Sequence, residues 1–202
     1  YNGSYDENIV IDKSITLEGE DKEGTVINGS TNPLLNSKVV EIQADYVDMS
    51  RFSIKGGNTG IYVEGSNNTI ENNIVKGVRG RDGADGSTGE DGYDGVGIYI
   101  YSSQNNTVVG NEIKNVTGGD GGYSTETFTK GGEGGRGSGI YMLSSTDNNL
   151  TSNEIYDICG GDGGSGDDAS GGSGGESIGI RIYTSDSNKI YSNRIHNDTG
   201  GE

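Results

Sequence analysis

Apolar and polar positions alternate along this chain within a unit that recurs four times. It reads GIYVEGSNNTIENNIVKGV from Gly60, GIYIYSSQNNTVVGNEIKNV from Gly97, GIYMLSSTDNNLTSNEIYDI from Gly139 and GIRIYTSDSNKIYSNRIHND from Gly179, with starts 37, 42 and 40 residues apart. After each leading glycine comes an aliphatic residue (Ile61, Ile98, Ile140, Ile180), then Tyr62, Tyr99, Tyr141 or Arg181, then Val63, Ile100, Met142 or Ile182. That is the period of two expected of a strand with one buried face. A Ser/Asn/Asp-rich turn follows, then short runs ending in Asn-x-Ile or a variant of it: Asn73 with Val75, Asn111 with Ile113, Asn153 with Ile155 and Asn193 with Ile195. Each unit therefore predicts about three short strands separated by bends. Such a unit is too small to bury its own core, so the units must stack. Residues 9–27 and 39–54 repeat the grammar less cleanly, with Ser50 standing where later units carry Asn. Five to six coils are expected, in one domain over residues 1–202.

Three glycine-rich segments follow the same point of successive units, at about 77–96, 117–138 and 159–178. The first places glycine at every third residue from Gly77 to Gly95. A period of three is that of an extended left-handed helix of the polyproline-II type. A collagen triple helix is disfavoured, because Pro33 is the sole proline and lies outside these segments. Two readings stand. Either each segment leaves the stack and returns as a pair of extended strands that pile into a lateral bundle, or the three are flexible linkers.

The units resemble right-handed parallel β-helix proteins, in particular the NosD-like and pectate-lyase-like group, the carbohydrate-binding and sugar-hydrolase repeats. The resemblance is carried by YNGSYDENIVIDKSITLEGEDKEGTVING and the GIY-x-x-x-S-x-x-N-x-I-x-x-N-x-I repeats. It implies an all-β solenoid, and it does not fix an activity, since this fold hosts many. A lyase of this kind would need a calcium-binding carboxylate cluster beside a basic residue, for which Asp45, Asp48 and Arg51 are the candidates. A hydrolase-like site would need converging aspartates with His and Arg. The single histidine, His196, sits near the end of the chain without such a setting and reads as an outward turn residue. The copper chemistry of NosD-like proteins is not matched by one His, one Cys and two Met. No catalytic residue is assigned, and the chain reads as non-enzymatic.

Composition narrows the partners. The net charge of −17 disfavours nucleic acid and anionic lipid and favours cations and a hydrated, extracellular setting. Leu, Ile, Val and Phe make up fewer than one residue in five, which with that charge would ordinarily predict disorder. A solenoid escapes this because its core is thin. Cys159 is alone, so no internal disulfide is expected, and no stretch is apolar enough to span a membrane. Asp82, Asp85, Asp91 and Asp94, or Asp162, Asp167 and Asp168, are candidate calcium ligands or solvated carboxylates. Tyr62, Tyr99 and Tyr141 form an outward row that would either stack sugars or brace neighbouring coils. Seven Asn-x-Ser/Thr sequons, at Asn2, Asn28, Asn67, Asn105, Asn115, Asn149 and Asn197, mark glycosylation sites or follow from asparagine at turns.

Proteins of this fold usually carry capping elements, and none is evident here. The expectation is therefore a structural subunit that stacks head to tail with copies of itself into an extracellular or cell-surface filament. A piece of a longer surface protein, or a domain that binds or cleaves polysaccharide, are the competing readings.

Overall fold

A computed structural model describes residues 1–29, 37–167 and 170–202. Among the described residues 19 strands form three parallel sheets, and there is no α-helix. Six coils each contribute one strand to each sheet. Sheet 1 contains Ile9–Ile11, Lys38–Ile42, Thr59–Val63, Gly95–Tyr101, Gly137–Leu143 and Ser177–Tyr183. Sheet 2 contains Thr16–Glu18, Asp48–Ser50, Thr69–Glu71, Thr107–Val109, Asn149–Thr151 and Lys189–Tyr191. Sheet 3 contains Thr25–Asn28, Ser53–Lys55, Ile74–Arg79, Glu112–Thr117, Glu154–Cys159 and Arg194–His196, preceded by Gly3–Tyr5. The expected parallel β-helix is what forms, at the upper end of the expected coil number.

The strands form because β-branched residues recur in register. Ile61, Ile98, Ile140 and Ile180 are paired neighbours, as are Ile70, Val108, Leu150 and Ile190. In the interior coils these side chains are fully buried and make one continuous axial core. The corners are turned by residues in the left-handed region. Asn67, Asn105, Asp147 and Ser187 do so between sheets 1 and 2, and Asn72, Gly110, Ser152 and Ser192 between sheets 2 and 3. Asn and Asp tolerate this conformation better than other side chains.

Two buried asparagine ladders run up the inside of the corners. Asn73 N donates to Asn111 Oδ1 (3.0 Å), Asn111 N to Asn153 Oδ1 (3.0 Å) and Asn153 N to Asn193 Oδ1 (2.9 Å). A second ladder links Asn68, Asn106, Asn148 and Asn188 in the same way. The rung below Asn73 is Phe52, whose N–H donates to Asn73 Oδ1 (3.0 Å). Ser50 therefore does not stand in the asparagine position; it pairs with Glu71. The ladder ends there in an aromatic residue of the core, which a search for a polar equivalent passes over.

The glycine-rich segments are a hydrogen-bonded bundle. Each leaves the last strand of a coil and returns into the first strand of the next, so that Gly77–Arg79 and Gly95–Val96 already belong to sheet strands. The outgoing runs 80–86, 118–124, 160–166 and 199–202 form one layer, and the returning runs 89–95, 131–137 and 171–177 form another. Three consecutive N–H groups point three ways. Gly118 N donates within its layer to Cys159 O (3.0 Å), Gly119 N across to Tyr93 O (2.9 Å), and Asp120 N outward to Asp82 Oδ1 (2.9 Å). Gly121, Gly122 and Tyr123 repeat the pattern on Asp162 O, Glu90 O and Asp85 Oδ1. This three-residue cycle is that of packed polyproline-II-type helices, and it excludes the flexible-linker reading.

Close approach explains the glycine spacing. A Cβ at Gly119, Gly122, Gly132 or Gly135 would overlap the carbonyls of Arg81, Ala84, Glu90 and Tyr93 respectively, each one coil below. In the first insertion the equivalent positions carry those four side chains, because no glycine-rich strand packs beneath it. Arg81 lies over the Tyr93 ring (4.4 Å) and 3.7 Å from Glu90. One glycine per triplet thus marks the closed edge of the bundle, and two per triplet mark its interior.

Candidate functional site

Sheet 1 carries the tyrosine row on its outer face. Register places Tyr62, Tyr99, Tyr141 and Arg181 side by side. Tyr99 stacks on Tyr141 (centroids 4.8 Å apart, 16° between planes) and meets Tyr62 edge to face (5.2 Å, 88°). Lys38 Nζ sits 3.4 Å from the Tyr62 centroid and the Arg181 guanidinium 4.6 Å from that of Tyr141. The row is thus a stack with a cation at each end, in which Tyr62 is buried and Tyr99 and Tyr141 are half-buried. Cation–π contacts of this kind contribute on the order of 1 kcal/mol each.

Burial, with the neighbouring Tyr141 and Tyr101, pushes the Tyr99 hydroxyl up to about 12. Burial and the Glu64 carboxylate raise Tyr62 further still. A raised pKa means that the folded state holds its proton more tightly. The contribution is fully present below the ordinary tyrosine value near 10 and is lost as pH rises through the folded value. Ultraviolet difference titration should therefore show at least two tyrosines ionising at or above about pH 12, with the melting temperature falling from about pH 10 upward. A single titration step at the ordinary value would contradict the stack.

Four of the candidate calcium ligands take up backbone hydrogen bonds. Asp82 Oδ1 accepts from Asp120 N (2.9 Å), Asp85 Oδ1 from Tyr123 N (2.7 Å), Asp91 Oδ1 from Glu133 N (2.7 Å) and Asp94 Oδ1 from Arg136 N (2.9 Å). Asp162 Oδ1 likewise accepts from Glu202 N (3.0 Å). These side chains satisfy the one N–H per triplet that points out of the bundle. Asp82 and Asp85 belong to the outgoing layer and Asp91 and Asp94 to the returning one, so the four are not brought together. Arg79 bridges Asp82 and Asp120, and Arg181 lies 3.5 Å from Asp94. Asp168 lies outside the described residues. Among the described residues no group of three or more His, Cys, Asp or Glu is placed to hold a metal ion. Sequence reasoning missed this accepting role, although the signal was present: aspartate closes the triplets of the first insertion.

Sheet 2 bears a shallow outer groove of about 360 Å³ lined by Glu18, Asp48, Glu71 and Arg51 among others. Arg51 Nη1 donates to Glu18 (2.8 Å), and its other nitrogen donates to the Glu20 carbonyl. Asp45 is turned away, accepting from Ser66 N (2.7 Å). Asp45, Asp48 and Arg51 therefore do not converge as a set, and Asp48 with Arg51 instead join Glu18 and Glu71.

On sheet 3, Lys55, Lys76, Lys114, Tyr156 and His196 share one outward row. His196 is a strand residue rather than a turn residue. It stacks on Tyr156 (5.1 Å, 6°) and lies 3.3 Å from Glu154 Oε1. Burial raises the Glu112 carboxyl, but hydrogen bonds from Lys114 and Tyr156 (both 2.6 Å) outweigh it and hold the group below its ordinary value. No helix among the described residues is long and apolar enough to cross a membrane.

A family model described as "Right handed beta helix region" matches residues 37–201. No curated protein sequence matches. The crystal structure of alginate lyase from Paenibacillus sp. str. FPU-7 is similar at 11% identity and a TM-score of 0.32, over 96% of this chain and 90% of that one. The parallel coils, their axial core and the family match agree: the chain belongs to the right-handed β-helix family.

Proposed function

We propose that this chain is a non-enzymatic structural unit of an extracellular or cell-surface filament, adding head to tail by coil stacking. The observation that carries the reading is the face of the sixth coil. Ile182, Ile190 and Ile195 are 45%, 38% and 47% exposed, whereas their register partners Met142, Leu150 and Ile155 are fully buried. These side chains repeat the core pattern one step further and suit another coil of the same grammar. Ile9 and Leu17 of the first coil are half-buried and offer a matching apolar surface. The partner this reading calls for is a second copy of the chain, and the net charge of −17 disfavours nucleic acid.

The bundle supports coil stacking over bundle stacking. Its lower edge is closed by Arg81, Ala84, Glu90 and Tyr93, and neither of the first two coils is followed by a glycine-rich segment. In a filament each bundle would stand apart from the next, as a rib. Sedimentation of the wild type against an Ile182→Asp/Ile190→Asp variant tests the contact. The reading expects a concentration-dependent polymer that the variant abolishes while it keeps its β-sheet circular dichroism. Identical monomeric sedimentation of both would refute it.

The groove on sheet 2 favours a second reading, a polysaccharide-binding or polysaccharide-cleaving surface domain. Carboxylates and threonine hydroxyls there suit sugar hydroxyl groups. Saturable polysaccharide binding that Asp48→Asn and Glu71→Gln remove would favour it.

A further inference from the structure

The seven sequons are chemically equivalent in sequence and differ in the fold. A glycan bonded to Nδ2 replaces one of the two amide donors and needs open solvent around the nitrogen. Asn28 Nδ2 donates to Asp6 Oδ1 (2.8 Å), and Asn2 Oδ1 accepts from Thr25 Oγ1 (3.1 Å). Asn149 is a half-buried strand residue whose Oδ1 is enclosed without a partner. Asn67 is half-buried at a corner, one coil below Asn105.

Asn105, Asn115 and Asn197 are different. All three are exposed, and all three sit in the left-handed region at φ 57°, 51° and 58°. No side-chain hydrogen bond ties any of them among the described residues. Asn105 turns the corner between sheets 1 and 2. Asn115 and Asn197 stand in one row at the bulge of sheet 3, where the chain heads out into the bundle. Asp157 occupies the coil between them in that row, so the two are two coils apart, roughly 9.6 Å. A sugar ring with its substituents is wider than one coil step of about 4.8 Å. The alternation therefore leaves room for a glycan on each, whereas Asn67 and Asn105, on adjacent coils, compete for the same space.

We propose that N-linked glycans are carried at Asn105, Asn115 and Asn197, and not at Asn28 or Asn149. The proposal rests on the extracellular setting proposed above. Asn115 and Asn197 share one side of the solenoid and Asn105 stands at another, all three outside the axial core.

Glycopeptide mapping of the protein purified from its native source tests this. Tryptic and chymotryptic peptides spanning the three sites should carry hexose- or hexosamine-containing mass additions, lost on enzymatic or chemical release of the glycan. Peptides containing Asn28 and Asn149 should appear at their unmodified masses. Glycan at Asn28 or Asn149, or unmodified asparagine at all three proposed sites, would overturn the assignment. Polymerisation is read separately by sedimentation of unglycosylated recombinant chain, so the two proposals fail independently.

Discussion

Replacing Asn111 with alanine should destabilise the solenoid by about 4 kcal/mol, because it strands two or more buried polar groups at about 1–3 kcal/mol each. Asn111 Oδ1 accepts from Asn73 N (3.0 Å), and its Nδ2 donates to Ile70 O (2.8 Å) and Asn153 Oδ1 (3.1 Å). All of these atoms belong to a corner that water does not reach, so none finds a new partner. The Asn111→Leu variant separates polar from packing effects, since it restores side-chain bulk and leaves the same groups unpaired. It should lose nearly as much as Asn111→Ala. The top rung, Asn193, also accepts from the buried Asn153 N (2.9 Å), but its own side chain is half-buried at the open face of the sixth coil, where water can take its place, so Asn193→Ala should cost less than half as much. Denaturant melts of the three variants check the order. Full rescue by leucine would mean that the ladder acts by filling space.

The Gly119→Ala/Gly122→Ala double variant should lose about 3 kcal/mol, the upper end of the range for overpacking. Each new methyl group falls on a carbonyl of the first insertion, Arg81 or Ala84. Backbone cannot step aside as a flexible side chain can. Separating the strands breaks the bonds from Gly119 N to Tyr93 O and from Gly122 N to Glu90 O. At the equivalent place on the closed edge, Ala84→Gly should change stability little, since that side chain faces no strand of the bundle. Amide hydrogen exchange locates the damage. Protection of Gly119, Gly122 and Gly135 should fall first, while Ile98 and Ile113 in the sheets stay protected. Unchanged exchange and unchanged stability in the double variant would return the segments to being linkers.

Much of the fold was legible because a solenoid writes each structural rule several times. Ile61, Ile98, Ile140 and Ile180 mark one buried row whichever unit is read. The period of three in glycine pointed to extended strands, since few other structures repeat at that interval. The bundle's edge was also written in the residues, in Arg81, Ala84, Glu90 and Tyr93, but its meaning depends on what lies beneath them in space. The role of the aspartates was not legible for a similar reason. Asp82 serves the N–H of Asp120, and nothing local to Asp82 tells a carboxylate that accepts from a neighbouring coil from one that awaits a cation. The Ser50 alignment failed where the repeat is weakest, because Phe52 ends the asparagine ladder with an apolar side chain. The tyrosine row was legible as a row. Its closure by Lys38 and Arg181 was not, because Lys38 lies outside the clean repeats. For the sheet 2 groove, Glu18 and Glu71 come from different coils and carry no shared motif.

Electron microscopy of the protein over a dilution series would show whether the coils of successive copies stack end to end. Six coils at about 4.8 Å per step set an axial repeat of roughly 29 Å. Coil stacking predicts unbranched filaments with that repeat and one lateral rib of density per repeat, shortening as the protein is diluted. Discrete rods of one subunit's length at every concentration would contradict it.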